Sequence, residues 1–124
     1  MTNGQEELAS LAYLVAMKWA AVNGAAIAAA GREIEESFRQ VAAEFPAIVG
    51  GVEGKGHLLG LRFRDLGQGR RFTERMNRFG FDISVQAYKA NCPPVALTKL
   101  PLIADSEAIA LLIARLREAL RQVT

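Results

Sequence analysis

The sequence predicts an α+β domain, in which helices pack on one face of a small, mostly antiparallel sheet of three to four strands. Apolar residues recur at three- and four-residue steps in four segments, and they alternate with polar residues or glycine in short segments between them. The composition, 51% hydrophobic and 23% charged, is typical of an ordinary folded domain. Because no linker, repeat or low-complexity run divides the chain, residues 1–124 are predicted to form a single domain.

Residues 5–45 are predicted to form two helices that precede the sheet. The first is apolar on nearly every side, through Leu8, Leu11, Leu14, Val15, Met17, Trp19, Val22 and many alanines. A helix of this kind is usually buried on more than one face, so we expect it to pack against something outside this short chain. The second begins after a break at Asn23 and Gly24 and ends at Pro46. Its apolar stripe consists of Ile27, Ile34, Phe38, Val41 and Phe45.

The same region has the length of a membrane span. Residues 8–30 contain a single charge and could cross a bilayer by length alone. However, ten of these 23 residues are alanine, Lys18 and Asn23 lie in or near the middle, and Gly24 interrupts the run. A pair of buried helices is therefore predicted, with no membrane as a partner.

Residues 48–124 are predicted to form the sheet portion. Glycines crowd the chain up to His57, where one short strand could lie within residues 48–53. Leu59, Leu61 and Phe63 then alternate with Leu58, Gly60 and Arg62, which predicts a strand with one apolar face. A short helix follows, with Phe72, Met76 and Phe79 inward and Gly80 at the position just beyond its end.

The last third of the chain predicts two more strands and a closing helix. Residues 81–86 give the clearest two-residue alternation, residues 88–94 form a loop, and residues 95–100 form a short strand whose exit Pro101 fixes. Asp105 is placed to cap the final helix, and arginines favour its C-terminal end. The inner stripe of that helix is Ile109, Leu112, Ile113, Leu116 and Leu120.

Gly54, Gly56 and Gly60 form a GxGxxxG pattern that invites comparison with a phosphate-binding loop. Such a loop needs its glycines at the start of a helix, where free N–H groups and the helix dipole hold the anion. Here the glycines lead into a strand, and no Gly-Lys-Ser or Gly-Lys-Thr sequence follows them. They are therefore predicted to make tight turns and close backbone packing.

Few residues suggest chemistry within the chain. His57 is the only histidine and is predicted to line a turn, because spacing suggests no catalytic partner for it. Cys92 is the only cysteine, so no internal disulfide or metal site is predicted, and a reducing, cytoplasmic setting fits best. The net charge of +2 is too small to imply nucleic acid without a local patch.

The strongest basic cluster comprises Arg62, Arg64, Arg70, Arg71, Arg75 and Arg78. A nucleic-acid surface is conceivable, but Asp65 and Glu74 are interleaved and the aromatic residues are needed in the core. The cluster is therefore interpreted as a solvated helix face, and no nucleic-acid partner is predicted.

Several stretches, taken in order, resemble one enzyme family. VEGKGHLLGLRF (residues 52–63) resembles the sequence that opens the sheet of the C-terminal small domain in class III pyridoxal-phosphate-dependent aminotransferases, the ornithine and acetylornithine aminotransferase group. The run from Gly24 to Phe45 and Pro46, FGFDISVQ (residues 79–86) and LPLIADSEAIALLIARLREAL (residues 100–120) resemble segments on either side of it. The likeness extends from about Leu8 to the end.

The resemblance implies a domain of a larger dimeric enzyme that transfers an amino group between an amine or amino acid and a 2-oxo acid. In that family a lysine of the large domain holds pyridoxal phosphate as a Schiff base. None of the lysines here, Lys18, Lys55, Lys89 and Lys99, lies in that context. The resemblance thus implies that the large domain is missing, that no catalytic or cofactor-binding residue lies in this chain, and that the chain alone neither holds the cofactor nor transaminates.

The resemblance also singles out the strand before Pro101. There the family has an arginine that grips the substrate carboxylate with two hydrogen bonds, and this sequence has Leu97. Lys99 lies two residues on, hence on the same strand face, and could replace the arginine as a point charge or simply be a solvated lysine. The alternative function is a stand-alone, non-enzymatic interaction or small-ligand-binding domain that shares only the fold.

Overall fold

A computed structural model describes residues 6–87 and 91–123. Within them it contains, in chain order, α1 (Glu7–Val22), α2 (Gly24–Glu44), β1 (Val49–Lys55), β2 (Leu58–Phe63), α3 (Leu66–Arg78), β3 (Ser84–Gln86), β4 (Val95–Lys99) and α4 (Ser106–Val123). The predicted α+β fold class is confirmed. Part of the loop predicted at residues 88–94 lies outside the described residues.

The four strands form one antiparallel sheet in the order β1-β2-β4-β3. α2 and α3 pack on the strands, and α4 packs against both helices. Leu59, Leu61 and Phe63 of β2 are buried. The ring centroids of Phe63 and of Phe72 on α3 are 5.1 Å apart. The core combines these side chains with most of the predicted apolar stripes of the helices: Ile34, Phe38 and Val41 of α2, and Ile109, Leu112, Ile113, Leu116 and Leu120 of α4. Of the rest of the α2 stripe, Phe45 packs half-buried against the core, and Ile27 lies outside it.

The glycine-rich stretch is a β-hairpin rather than a turn leading into a single strand. Lys55 pairs with Leu58, so Gly56 and His57 form a two-residue turn. Gly56 has a φ of 58°, and no residue other than glycine has a positive φ in the described chain, which is the sign pattern of a type II′ hairpin turn. The predicted short strand within residues 48–53 exists, but it is longer, because Gly50, Gly51 and Gly54 are themselves part of β1.

The strand predicted from Phe81 begins later than the alternation indicated. The N–H of Phe81 donates to the carbonyl of Met76, and the N–H of Gly80 donates to that of Asn77, which is a Schellman ending of α3 with Gly80 at the predicted position. The N–H of Ile83 donates to the side chain of Asn77. Since these amides complete the end of α3, only Ser84–Gln86 pairs with β4.

α1 stands apart from the core, and none of its residues is buried. Its break from α2 at Asn23 is as predicted, and the two helices are bent by 79° there. Eight large apolar side chains of α1 are between 39% and 78% exposed. Among the described helices none is by itself long and apolar enough to cross a membrane, although α1 and the bent continuation into α2 reach the required length and composition together.

A bidentate ion pair connects the end of α2 with α4 on the protein surface. The guanidinium of Arg117 donates to both carboxylate oxygens of Glu44, at 2.9 to 3.1 Å. These hydrogen bonds, with a smaller contribution from the charges of Arg117 and Arg121, lower the pKa of Glu44 below its ordinary value. Because the folded pKa is depressed, the pair stabilises the fold above the unfolded pKa, and this stabilisation is lost as the pH falls through the folded value.

We therefore expect a Glu44→Gln variant to be slightly less stable than the wild type at neutral pH. The difference in stability should shrink as the pH falls below about 4.5, because the wild-type carboxylate then gains a proton and loses its charge, as in the glutamine variant. Urea unfolding of both proteins across this pH range measures it. A difference that is independent of pH would show that the ion pair is not its cause.

Candidate functional site

The sheet face turned away from the helices, called the outer face below, carries both residues singled out on β4. Ala96 and Thr98 are buried on the helix side, so Val95, Leu97 and Lys99 lie on the outer face. Leu97 is half-buried between its register partners, Gly60 on β2 and Ser84 on β3. Lys99 is exposed and lies opposite Leu58.

The centre of the outer face is shallow because Gly60 has no side chain. A Cβ at this position would collide with the side chain of Val95 and lie 3.2 Å from the carbonyl oxygen of Ala96. The close backbone packing predicted for the glycine-rich stretch is therefore confirmed at Gly60. The centre of the outer face is consequently a shallow apolar surface made by Val95 and Leu97.

Arg62 belongs to the outer face, as its place in the alternation of β2 indicated, and not to one helix surface with the arginines of α3. Its guanidinium lies across β1, donating to the carbonyl of Gly50 at 2.9 Å and to Glu53 at 3.3 Å. A Cβ at Gly51 would come within 2.6 Å of this guanidinium, so the glycine makes room for it. The charge of Arg62 is therefore engaged within the sheet.

Lys99 and Lys55 are the cations of this face that form no ion pair among the described residues. They lie in one row across the sheet, because Lys55 is opposite Leu58 on β1 and Lys99 is opposite Leu58 on β4. Two strand spacings separate their Cα atoms by roughly 10 Å. Only the register reveals this row, since 44 residues of sequence separate the two lysines.

Two concave regions border the outer face. One is a depression of about 320 Å³ whose lining includes Glu53, Gln86, Cys92 and Leu97. The other is a cleft of about 560 Å³ between residues 80–83 and the segment from Thr98 to Asp105, with Lys99 on its rim. This cleft opens because the backbone before Ser84 turns to α3 instead of pairing with β4, which sequence alternation could not show.

His57 lies in the hairpin turn, as predicted. Gly31 of α2 packs against this turn, with a virtual Cβ 3.3 Å from Gly56 and 3.8 Å from the imidazole. Glu35 accepts a 2.6 Å hydrogen bond from the N–H of Gly56. The turn amide is thus already used by α2, which removes the arrangement of free amides that a phosphate loop requires.

The basic cluster predicted from the sequence divides into two groups. Arg62 and Arg64 lie beside β1, where Arg64 donates to the carbonyl of Pro46 at 2.8 Å. The other four arginines of the cluster lie on α3. No single surface therefore combines all six.

The described residues do not fit pyridoxal phosphate as a resident group. The cofactor needs a lysine for its Schiff base and an acidic partner for its ring nitrogen, together with donors for the phosphate. Lys18, Lys55 and Lys99 are exposed and separate from one another in the fold, and Lys89 lies outside the described residues.

Comparison with known proteins gives structural matches only. No family model matches the chain, and no curated protein matches its sequence. Lysine aminotransferase from M. tuberculosis in its internal aldimine form matches with a TM-score of 0.68 at 19% identity, over 79% of this chain and 21% of its own. An amine transaminase from an uncultivated Pseudomonas species, in its PLP-bound form, matches with a TM-score of 0.65 at 20% identity, over 79% of this chain and 23% of its own.

A transaminase from directed evolution by ancestral reconstruction matches over more of the chain. Its TM-score is 0.76 at 18% identity, over 93% of this chain and 26% of its own. The chain thus spans about a quarter of the length of these structures. At this identity the match establishes the architecture alone, and the chain has the fold of the C-terminal domain of PLP-dependent aminotransferases.

Proposed function

We propose that this chain is the C-terminal domain of a class III PLP-dependent aminotransferase of the ornithine and acetylornithine group. The observation that carries the proposal is the structural match to aminotransferases over 79% to 93% of the chain. The order of sequence motifs supports the same family independently. In this proposal the parent enzyme is a cytoplasmic homodimer that moves an amino group between an amine or amino acid and a 2-oxo acid.

In the parent, this domain contributes shape and charge beside a cofactor that another domain holds. Bound pyridoxal phosphate would supply the electron sink for amino-group transfer. The isolated chain is proposed to be inactive, because its described residues offer no site for that group. The exposed apolar helix α1 supports a missing partner. Eight of its large apolar side chains are exposed in the described structure, and an exposed apolar patch of this kind typically marks an interaction surface.

The outer face is the proposed contribution to substrate selection. Leu97 provides an apolar surface where the resembling family has a carboxylate-gripping arginine, and the nearby guanidinium of Arg62 is held by Glu53 and Gly50. Lys99 is the positively charged residue of β4, and it is proposed to contact a substrate anion. It would act as a point charge rather than as a two-pronged donor.

We expect Lys99→Ala in the parent enzyme to raise the Michaelis constant for an anionic substrate by about one to two orders of magnitude, with little change in kcat, because an ionic hydrogen bond contributes about 1.5–3 kcal/mol. Lys55→Ala is the matched control, since that lysine lies on the same face on the far side of Leu58. Steady-state kinetics of the three proteins measures the effect. An unchanged constant for Lys99→Ala would contradict the assignment.

Isolation of the native polypeptide that contains this chain tests the proposed function directly. An antibody against this chain should recover, from cells, a protein several times its length that binds pyridoxal phosphate and has aminotransferase activity. Mass spectrometry after borohydride reduction should place the pyridoxyl group on a lysine outside this chain. A native product of this chain's own length, without pyridoxal phosphate, would favour the stand-alone interaction or ligand-binding domain instead.

A further inference from the structure

The guanidinium groups of the four arginines of α3, like that of Arg32 on α2, form no hydrogen bond or ion pair among the described residues. Four arginines elsewhere pair with carboxylates: Arg39 with Glu35, Arg62 with Glu53, Arg115 with Glu118 and Arg117 with Glu44. On α3, by contrast, the guanidinium groups of Arg70, Arg71, Arg75 and Arg78 make no hydrogen bond or ion pair within residues 6–87 and 91–123. Their charge is therefore available to a ligand.

Three of these arginines share one concave surface. Arg71, Arg75 and Arg78 follow steps of four and three residues, so they lie on one side of α3. With Gln122 at the end of α4 they line a depression of about 160 Å³, here called the α3–α4 depression. Glu74 also lines it and offsets part of the charge. Arg70 is on the same helix but does not line the depression.

Helix-end electrostatics accounts for only part of this arrangement. Arg75 and Arg78 lie in the last turn of α3, where the helix dipole favours positive charge. Arg71 lies earlier in the helix and gains nothing from that end. Like charges four residues apart on a helix repel each other and destabilise it. An anion between the guanidinium groups would remove this repulsion.

The size and the donors of the depression favour a phosphate group. Guanidinium groups match phosphate oxygens with paired N–H donors, and the amide of Gln122 can add another donor. Its volume of about 160 Å³ is enough for a phosphate group. The depression contains no aromatic side chain on which a base could stack.

We propose that the α3–α4 depression binds the phosphate group of a small molecule, either inorganic phosphate or a phosphorylated metabolite. The site lies on the helix side of the domain, away from the outer face that carries Leu97 and Lys99. It is therefore independent of the proposed aminotransferase function.

Calorimetric titration of the full chain with inorganic phosphate tests the proposal, with sodium chloride at equal ionic strength as the reference. Wild type should bind phosphate saturably, and the double variant Arg71→Gln, Arg75→Gln should bind it at least tenfold more weakly. Arg70→Gln removes the same kind of charge from the same helix outside the depression and should bind like wild type. Thermal unfolding without phosphate should show both variants folded, and the double variant no less stable, because repulsion is relieved.

Two results would overturn the proposal. One is an absence of saturable phosphate binding by the wild type, including the case in which a single-stranded RNA oligonucleotide binds while phosphate does not. The other is an equal loss of phosphate binding in Arg70→Gln, which would indicate general charge attraction rather than a site. Comparing inorganic phosphate with a sugar phosphate in the same titration distinguishes the two sources of the group, since the tighter ligand identifies the source.

Discussion

Gly54→Ala is expected to destabilise the domain by about 2–5 kcal/mol, because the change combines backbone strain with a steric collision. Gly54 has a φ of 98°, in the region that side chains other than glycine rarely adopt. A Cβ there would also run into the backbone carbonyl of Leu58, which belongs to the rigid partner strand of the hairpin. Neither the turn nor β2 can move away without breaking the pairing that holds β1 in the sheet.

Gly24→Ala is the matched control for this substitution. Gly24 begins α2, has no atom within 4 Å of a virtual Cβ and does not have a positive φ. The same added methyl group should therefore leave stability unchanged or raise it by up to about 1 kcal/mol, since alanine loses less entropy on folding. Urea unfolding of both variants measures the contrast. Equal effects at the two sites would contradict the hairpin geometry.

The isolated chain is expected to self-associate through α1, and charged substitutions there should weaken this association at least a hundredfold. Leu11 and Leu14 are 58% and 65% exposed in the single chain. Burying each large apolar side chain contributes about 1.5–3 kcal/mol, so losing two contributions changes an association constant by about two orders of magnitude or more. Sedimentation of wild type and of Leu11→Glu, Leu14→Glu over a range of concentrations measures the change.

Leu111→Glu serves as the control for this experiment. Leu111 is an exposed leucine of α4, at 51%, and lies outside α1. The control should sediment like the wild type, because scattered exposed leucines on a protein surface do not by themselves cause association. A wild-type chain that remains a monomer at high concentration would contradict the expected role of α1 and weaken the case for a missing domain.

Local sequence signals predicted most elements of this fold. The three- and four-residue periodicity placed the helices, Pro46 and Gly80 marked helix ends, and the alternation around Leu61 marked a buried strand. These signals are reliable because each depends on one side of an element being buried, which the chain records residue by residue. The late start of β3 was missed for a physical reason. The amides of Phe81 and Ile83 bond to α3, and amide partners leave no trace in side-chain alternation.

The candidate site could be predicted only in part. Sequence position placed Leu97 and Lys99 on one face of a strand, which the register supports, but it could not bring Lys55 to that face. The interpretation of the arginine cluster as one helix face was wrong for Arg62 and Arg64, which do not lie on α3. Arg62 and Arg70 are eight residues apart, yet one lies across the sheet and the other lies on a helix.

The sequence by itself determined the α+β class, the break between the first two helices, the apolar character of α1 and the absence of a helix after the glycine-rich stretch. These features follow from the order and spacing of side chains within about a dozen residues. Tertiary structure alone decided that the glycines form a hairpin covered by α2, that two lysines share a row with Leu58, and that three arginines without an ion pair among the described residues line one depression. Strand register and helix packing set those distances, because they join residues that only the folded chain brings together.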